Sequence, residues 1–316
     1  MELPFQRNWK NMEGMYRKQV ALLLSVLPEV AKEKCFALHG GTAINLFVRN
    51  MPRLSVDIDL TYLPIEDRAT SLAHIAKALE KIKVNIEKVV SNVRVSHRPY
   101  TGKLQVSVNG ADIKVEVNLV NRGALAEPKE MVLCDKAQND FEAFCTIPVV
   151  STGQLFGGKI IAALDRQHPR DLFDVKYLLE TEGFSQEVKT GFLLYLLCSD
   201  RPINEIITPN FQDQRSAMDN QFAGMSDEVF KYEEYERIRE KLVRTVHANL
   251  TESDKVFLLS VKNVTPDWNI YDFERFPAIN WKLQNLRNLK TKNPDKHRDL
   301  YETLEKKLRE PSRFLM

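Results

Sequence analysis

The sequence predicts an α+β protein in two parts, and two observations lead to this class. Residues 1–150 mix short strands, in which apolar and polar side chains alternate, with segments of helical spacing. From residue 151 the strand pattern ends, and apolar residues recur at the spacing of amphipathic helices. We therefore expect an α/β domain over residues 1–150 and a mostly helical domain over residues 151–316, each long enough to bury its own core.

Helix and strand patterns follow one another through the first part. Residues 12–33 have helical spacing, CFALH is a short apolar run typical of a strand, and TAINLFVRN is predicted helical up to Pro52. SVDIDLTYL alternates strictly and predicts a strand. A helix over 66–83 is followed by four predicted strands: VNIEKVV, NVRVSHRPY, GKLQVSVNG and DIKVEVNLV, with Asn109-Gly110 as a hairpin turn.

The second part contains four long segments with helical spacing and few strand signals. They are GQLFGGKIIAALDRQ, PRDLFDVKYLLETEG, QEVKTGFLLYLLCS and DEVFKYEEYERIREKLVRTVHANL. The helical domain should therefore consist largely of packed helices.

Composition excludes several classes of protein. The net charge of +2 gives no whole-chain signal for nucleic-acid binding. The four cysteines are scattered without Cys-x-x-Cys spacing, which indicates a reducing compartment and argues against a zinc site. The apolar runs are too short to cross a bilayer, so we expect a cytoplasmic protein without a membrane partner.

Asp57 and Asp59 are the first candidates for a catalytic site. Side chains two apart on a strand share one face at about 6–7 Å, which also places Ser55 beside them. Two carboxylates this close repel each other unless a cation lies between them, and Mg²⁺ binds carboxylate and phosphate oxygens together. The pair therefore indicates an Mg²⁺ site for a nucleoside triphosphate (NTP), where two metal ions activate an attacking oxygen and stabilise the leaving pyrophosphate.

Gly40 and Gly41 stand where the predicted first strand feeds a helix. Free backbone N–H groups and the absence of side chains suit a phosphate at such a turn, and Thr42 adds a hydroxyl group. Either motif alone has an ordinary explanation, a turn or an exposed strand face. The two motifs in this order, separated by one short helix, are more specific.

Glu116 is the candidate for a third acid at this site. It lies on the polar face of DIKVEVNLV, where it alternates with Val115 and Val117. A solvated strand residue is the alternative interpretation, and Asp112 is the reserve candidate.

GQLFGGKI matches the Gly-x-x-x-x-Gly-Lys pattern of a phosphate loop. We reject that loop because Ile160 stands where Ser or Thr must reach Mg²⁺. Lys159, Arg166 and Arg170 instead fall on one predicted helix face, where Lys159 and Arg166 would neutralise phosphates. A solvated basic face is the alternative.

Asp171 and Asp174 share a face of the next predicted helix, which begins near Pro169. Asp171 has a simple alternative as a helix-capping acid. Otherwise the pair would hold Lys159 in place or act as a base toward an incoming hydroxyl.

Taken together, four blocks resemble the AbiEii/AbiGii-type nucleotidyltransferase toxins of bacterial type IV toxin–antitoxin and abortive-infection systems. FALHGGTAINLF is similar to the first motif of that family, RLSVDIDL to the second, KIIAALDR to the third and PRDLFDVKYLL to the fourth. The resemblance covers roughly residues 36–180. Val56 stands where the family often has Glu, but it should face away from the metals.

The resemblance implies a DNA-polymerase-β-like nucleotidyltransferase domain followed by a mostly helical C-terminal domain. It implies transfer of a nucleotide from an NTP, in some relatives to the 3′ end of tRNA, which blocks aminoacylation. It also implies a cognate antitoxin, often with a winged helix-turn-helix. The implied site residues are Gly40 and Gly41 for phosphate, Asp57 and Asp59 beside Ser55 for Mg²⁺, Lys159 for the triphosphate, and Asp171 or Asp174 as the acid of the fourth motif.

The acceptor is less well defined by the sequence. Residues 281–316 hold ten Lys or Arg and five Asp or Glu, which predicts a surface for RNA phosphates, with a merely solvated surface as the alternative. Transfer to a protein hydroxyl and a catalytically dead module that only binds nucleotide or a partner also stay open.

Overall fold

The computed structural model describes residues 4–309, with side chains from residue 12 onward. The chain divides into two compact units. The first contains residues up to Ser151 together with Arg215–Phe230, and the second contains Thr152–Gln214 and the residues from Lys231 onward. The sequence-based division assigned residues 215–230 to the helical part, whereas in the structure they pack with the first unit.

The first unit is built on a seven-stranded sheet with the strand order β3-β4-β5-β2-β1-β7-β6. The central strand β2 runs antiparallel to β1 and parallel to β5. The strands are β1 (Phe36–His39), β2 (Asp57–Tyr62), β3 (Arg94–Arg98), β4 (Lys103–Val108), β5 (Ala111–Val117), β6 (Lys129–Val132) and β7 (Thr146–Val149). Helices α1 (Pro4–Ala31), α2 (Gly40–Ala43), α3 (Arg68–Val89) and α4 (Asp135–Phe141) accompany them, with a π-helical turn over Ile44–Val48 and a 3₁₀ turn over Pro99–Thr101.

The sheet has one apolar and one polar face. Ile58, Leu60 and Val115 are among the fully buried side chains of the apolar face, which α1 and α3 cover. Alternation along each strand therefore turns the polar side chains of β2, β5 and β4 toward the opposite face.

The segment Arg215–Phe230 returns the chain to the first unit. Leu54 donates its N–H to the carbonyl of Met225 at 2.6 Å, and the Ser226 hydroxyl donates to the carbonyl of Pro52 at 2.9 Å. The segment thus fixes the chain just before β2 begins.

The remaining helices follow Ser151. They are α5 (Thr152–Asp165), α6 (Pro169–Glu180), α7 (Gln186–Cys198), α8 (Ile203–Ile206), α9 (Arg215–Ala217), α10 (Tyr232–Asn249), α11 (Glu252–Lys262), α12 (Pro277–Lys292) and α13 (Pro294–Arg309). Only α9, with the π-helical turn Met218–Phe222, belongs to the first unit. Among residues 4–309, no helix is long and apolar enough to span a membrane.

Glycines bring α5 and α7 into backbone contact within the second unit. A Cβ atom added at Gly157 would collide with the backbone of Gly191 and Phe192, and one added at Gly191 would collide with that of Gly153. Two glycines of the rejected phosphate-loop pattern therefore serve helix packing, because only a residue without a side chain allows so close a crossing.

Several local predictions are corrected by the structure. VNIEKVV is not a strand but the last part of α3, whereas the Asn109-Gly110 hairpin turn is confirmed, with φ angles of 50° and 79°. The patterns of β6, α4 and β7 were not predicted. Arg170 lies in α6, beyond a chain turn at Gln167 with φ of 51°, so it does not share one helix with Lys159.

Candidate active site

Asp57 and Asp59 project from the polar face of β2. They alternate with the buried Ile58 and Leu60, and both carboxylates are half-buried. In the strand register, Asp59 lies between His39 of β1 and Glu116 of β5. Asp57 lies beside Lys114 of β5. The two candidate metal ligands therefore share one face, as the alternation predicted.

The turn after β1 approaches the second carboxylate closely. Gly40 has a φ of +71°, a left-handed conformation that L side chains rarely adopt. A Cβ atom at this position would also collide with the carboxylate of Asp59. Glycine is therefore required here on both conformational and steric grounds, and it leaves the backbone open at the face that carries the two aspartates.

Gly41, Thr42 and Ser55 form a second set of contacts beside this turn. The Thr42 hydroxyl donates to the carbonyl of Asp57 at 2.5 Å and lies 3.1 Å from Ser55 Oγ. A Cβ atom at Gly41 would lie 2.9 Å from Ser55 Oγ. The Thr42 hydroxyl therefore holds the turn against β2, and the Ser55 hydroxyl lies next to both Gly41 and Thr42.

Arg53 is a residue of this site that the sequence reasoning missed. Its side chain is only 3% exposed, and Nη2 would lie 2.8 Å from a Cβ atom at Gly41. Nη1 donates to the carbonyl of Leu54 at 2.9 Å. The signal in the sequence was a charged residue inside the apolar stretch MPRLSV, immediately before the Asp-x-Asp strand.

Glu116 lies in the same row as Asp59, but in this structure it pairs with Lys103. Lys103 Nζ is 2.9 Å from Glu116 Oε1, and the two side chains are 45% and 31% exposed. Such an exposed pair stabilises the fold little and exchanges readily. Asp112, the reserve candidate, pairs instead with the hydroxyl of Ser107, outside the stretch of β5 that adjoins β2.

The donor set suits Mg²⁺. No group of three or more His, Cys, Asp or Glu among the described residues is arranged to hold a metal ion. Mg²⁺, however, is commonly held by one or two carboxylates together with substrate phosphates and water. Asp57 and Asp59 supply two hard oxygen donors on one face, and the side-chain-free backbone of Gly40 adjoins Asp59, so these residues fit that kind of site.

In the second unit, α5 and α6 hold a buried charge cluster. Lys159 Nζ lies 2.9 Å from Asp171 Oδ1 and 3.0 Å from Asp174 Oδ2. Arg166 donates to both oxygens of Asp171, at 2.5 and 3.0 Å. Lys159 is 7% exposed and each Asp 1%, so the alternative of a solvated basic face does not hold for Lys159.

This cluster bears on the role of general base that was considered for Asp171. Burial raises the pKa of Asp171, but Lys159 and Arg166 outweigh it and hold that pKa well below its usual range. A carboxylate with so low a pKa is a poor general base. The geometry favours the other role, in which Asp171 and Asp174 fix the position of Lys159.

The basic C-terminal segment is partly occupied by internal contacts. Lys282, Lys290 and Lys307 each donate to a backbone carbonyl, at 2.5, 2.9 and 3.1 Å. Arg298 and Arg309 pair with acids on their own helix. Five of the ten basic residues therefore have partners within the second unit, and residues 310–316 of the predicted surface lie outside the described part of the chain.

Comparison with known proteins places the chain in a family. A family model described as nucleotidyl transferase AbiEii toxin, type IV TA system, matches residues 21–278. No curated protein matches the chain at a significant level. Among solved structures it is similar to MenT4, a nucleotidyltransferase toxin from Mycobacterium tuberculosis H37Rv, with a TM-score of 0.56 and 15% identity over 85% of this chain and 91% of that one. At that identity the likeness shows the shared fold, and the family match spans most of the chain, so this protein belongs to the AbiEii family of nucleotidyltransferase toxins of type IV toxin–antitoxin systems.

Proposed function

We propose that this toxin transfers a nucleoside monophosphate from an NTP to the 3′ hydroxyl of an RNA, with tRNA as the acceptor. The reaction depends on Mg²⁺ and inhibits translation by blocking the tRNA end. The observation that carries the proposal is the pair Asp57 and Asp59 on the polar face of β2, with the Gly40 turn packed against Asp59.

In this proposal Asp57 and Asp59 hold Mg²⁺, and Glu116 joins them by leaving Lys103. The metal, when bound, neutralises phosphate oxygens and makes the attacking hydroxyl more acidic. Thr42, through its bond to the Asp57 carbonyl, keeps the first carboxylate in position. The fit rests on the two half-buried carboxylates and on the exchangeable pairing of Glu116.

We assign the triphosphate to two kinds of group: glycine backbone that no side chain covers, and basic side chains. Gly40 and Gly41 offer open backbone, with Thr42 and Ser55 as neighbouring hydroxyls. The resemblance of the third and fourth blocks to the family is the ground for assigning Lys159 and Arg166 to phosphate; within the second unit, Asp171 and Asp174 hold the lysine in place.

As a type IV toxin, the protein has an antitoxin as partner. We propose that this antitoxin carries a winged helix-turn-helix and that the pair acts in the cytoplasm, where tRNA is available. Co-expression with the neighbouring gene product, followed by co-purification and recovery of growth, tests this assignment.

The test of the activity is nucleotide transfer. Wild type, Asp57→Asn and Asp59→Asn are incubated with tRNA, Mg²⁺ and each α-³²P-labelled NTP, with EDTA as the metal-free arm. Asp112→Asn is the matched control, because it removes an acid from the same sheet face outside the β2 register. The proposal expects labelled tRNA from wild type and the control only, and none with EDTA.

Two other results would replace this function. Label that migrates with a protein would indicate transfer to a protein hydroxyl. Tight NTP binding by folded wild type with no product on any acceptor would indicate a binding module without turnover.

A further inference from the structure

Basic side chains continue the polar face of the sheet away from the catalytic strand. In the register, Asp59 lies beside Glu116 of β5, Glu116 beside Lys103 of β4, and Lys103 beside Arg98 of β3. In the next row, Asp57 lies beside Lys114 of β5. Lys114, Lys103 and Arg98, which we call the basic track, therefore occupy three successive strands on the face that carries the two aspartates.

The track extends farther than one triphosphate. Neighbouring strands are about 4.8 Å apart, which places Lys114 about 5 Å, Lys103 about 10 Å and Arg98 about 14 Å from β2 along the sheet. A triphosphate held at Asp57 and Asp59 would not reach Arg98. A row of cations at increasing distance suits a chain of phosphates instead.

The track is accessible and carries positive charge. Lys114 and Arg98 are exposed, and neither has an ion-pair partner within residues 12–309. Lys103 pairs with Glu116, but both side chains are substantially exposed, so a phosphate can compete for that lysine. When Glu116 turns to the metal, Lys103 is released to bind phosphate.

The chain turns back just after Arg98, in a 3₁₀ turn that also contacts α3, and this turn carries an exposed aromatic side chain. Tyr100, two residues after Arg98 in the 3₁₀ turn, is 96% exposed. Exposed aromatic rings beside a basic groove are how many proteins stack the bases of single-stranded nucleic acid. The basic side chains would bind the phosphates of the nucleic-acid backbone, and the Tyr100 ring would stack on a base.

We propose that the basic track and Tyr100 bind the single-stranded 3′ end of a polynucleotide acceptor and lead its terminal hydroxyl to Asp57 and Asp59. This inference rests on the proposed function, because it assumes that the acceptor is RNA. It names a surface in the first unit that is separate from the basic C-terminal helices.

The test measures RNA binding without NTP, so that it does not depend on turnover. A fluorescent single-stranded RNA is titrated with wild type and with the triple variant Arg98→Ala, Lys103→Ala, Lys114→Ala at several salt concentrations. The matched control is a triple alanine variant of α3, which covers the other face of the sheet. It removes Lys77, Lys81 and Lys88; Lys81 pairs with Glu33, and the other two form no ion pair with any side chain of residues 12–309.

The track variant should bind RNA about tenfold or more weakly, and the slope of log affinity against log salt should fall by about 2, since each lost phosphate contact removes about 0.7. The α3 variant should match wild type. Tyr100→Ala should weaken binding without changing the salt slope, because stacking releases no counterions, and Tyr100→Trp should restore it.

Different results would overturn the track or the proposed function. Unchanged RNA affinity and salt slope in the track variant, from a wild type that labels tRNA, would overturn the track alone. Loss of NTP binding with RNA binding intact would assign these side chains to the nucleotide and overturn the track. Track-dependent RNA binding by a wild type that labels only protein would keep the surface and overturn the RNA acceptor.

Discussion

The buried cluster around Lys159 permits a quantitative test of its structural contribution. Lys159→Met keeps most of the apolar stem and removes only the charged amine, which lies 2.9 Å from Asp171 and 3.0 Å from Asp174. Both carboxylates are almost fully buried. The substitution therefore leaves two buried anions with one cation fewer.

The expected loss follows from the remaining contacts. Removing one partner of a buried ion pair typically destabilises a protein by about 3–5 kcal/mol, because the other charge stays buried. Asp171 keeps its two bonds to Arg166, so the lower end, about 3 kcal/mol, is expected. Adding Asp174→Asn to Lys159→Met removes one of the stranded charges and should recover part of the loss.

The pH dependence of stability is a second, independent test of the interaction between Lys159 and Asp171. The pKa of Asp171 is lowered in the folded protein, so its contribution to stability is present above the unfolded pKa, near 4, and is lost as pH falls below it. Without Lys159 that pKa rises, and less stability remains to be lost. The difference between Lys159→Met and wild type should therefore shrink as the pH is lowered through 4.

The assay is urea unfolding followed by far-ultraviolet circular dichroism at pH 7 and at lower pH. Lys255→Met is the control, because it removes a partly exposed lysine whose partner Glu252 is 85% exposed, and it should change the free energy of unfolding by less than about 0.5 kcal/mol. Equal stability of Lys159→Met and wild type, or a difference independent of pH, would refute the reasoning. The measured stability also shows whether Lys159→Met is folded under assay conditions, so that its activity can be compared with that of wild type.

Three further predictions follow from single positions. Gly40→Ala should abolish nucleotide transfer while the protein stays folded by circular dichroism, because the new Cβ displaces the Asp59 carboxylate; full activity would contradict this. Gly191→Ala should lower the free energy of unfolding by more than about 1 kcal/mol in urea, since the methyl group collides with the backbone at Gly153 and outweighs the gain in helix propensity. Lys262→Met should stabilise the protein by about 2 kcal/mol at pH 7, because burial lowers the pKa of this lysine from 10.5 to about 8, and the advantage should fade as pH rises from 8 through 10.5, above which the lysine is neutral in both states.

Local patterns predicted most of the fold that surrounds the candidate site. Strict alternation fixed which side of β2 carries Asp57 and Asp59, and Asn-Gly predicted the β4–β5 turn from its preference for positive φ. VNIEKVV failed because its β-branched residues also fit the helical period, and Ile82 and Ile86 of α3 are both fully buried. Tertiary packing, which local propensity does not record, decided that segment.

In the candidate site too, local patterns predicted some residues, whereas others depend on tertiary contacts. The combined pattern of Gly-Gly and Asp-x-Asp predicted that the carboxylates and the glycine turn belong to one site, and in the structure Gly40 does lie against Asp59, because strand alternation and backbone conformation are local properties. Arg53 and the Lys103–Glu116 pair could not be predicted, since they depend on strand order and on a turn brought back against the sheet. The burial of Lys159 was also hidden, because it follows from the contact between α5 and α6.

The return of Arg215–Phe230 to the first unit has a consequence for the synthesis of this toxin. Met225 and Ser226 supply the partners of Leu54 and Pro52, just ahead of the Asp-x-Asp strand. On a ribosome, the nascent chain up to residue 151 therefore lacks a piece of its own N-terminal unit until Phe230 has emerged. Helices α5, α6 and α7 are all made before the segment that leads into the Asp-x-Asp strand receives these partners. A prematurely terminated product would lack the two contacts that hold residues 52–54 just ahead of Asp57 and Asp59.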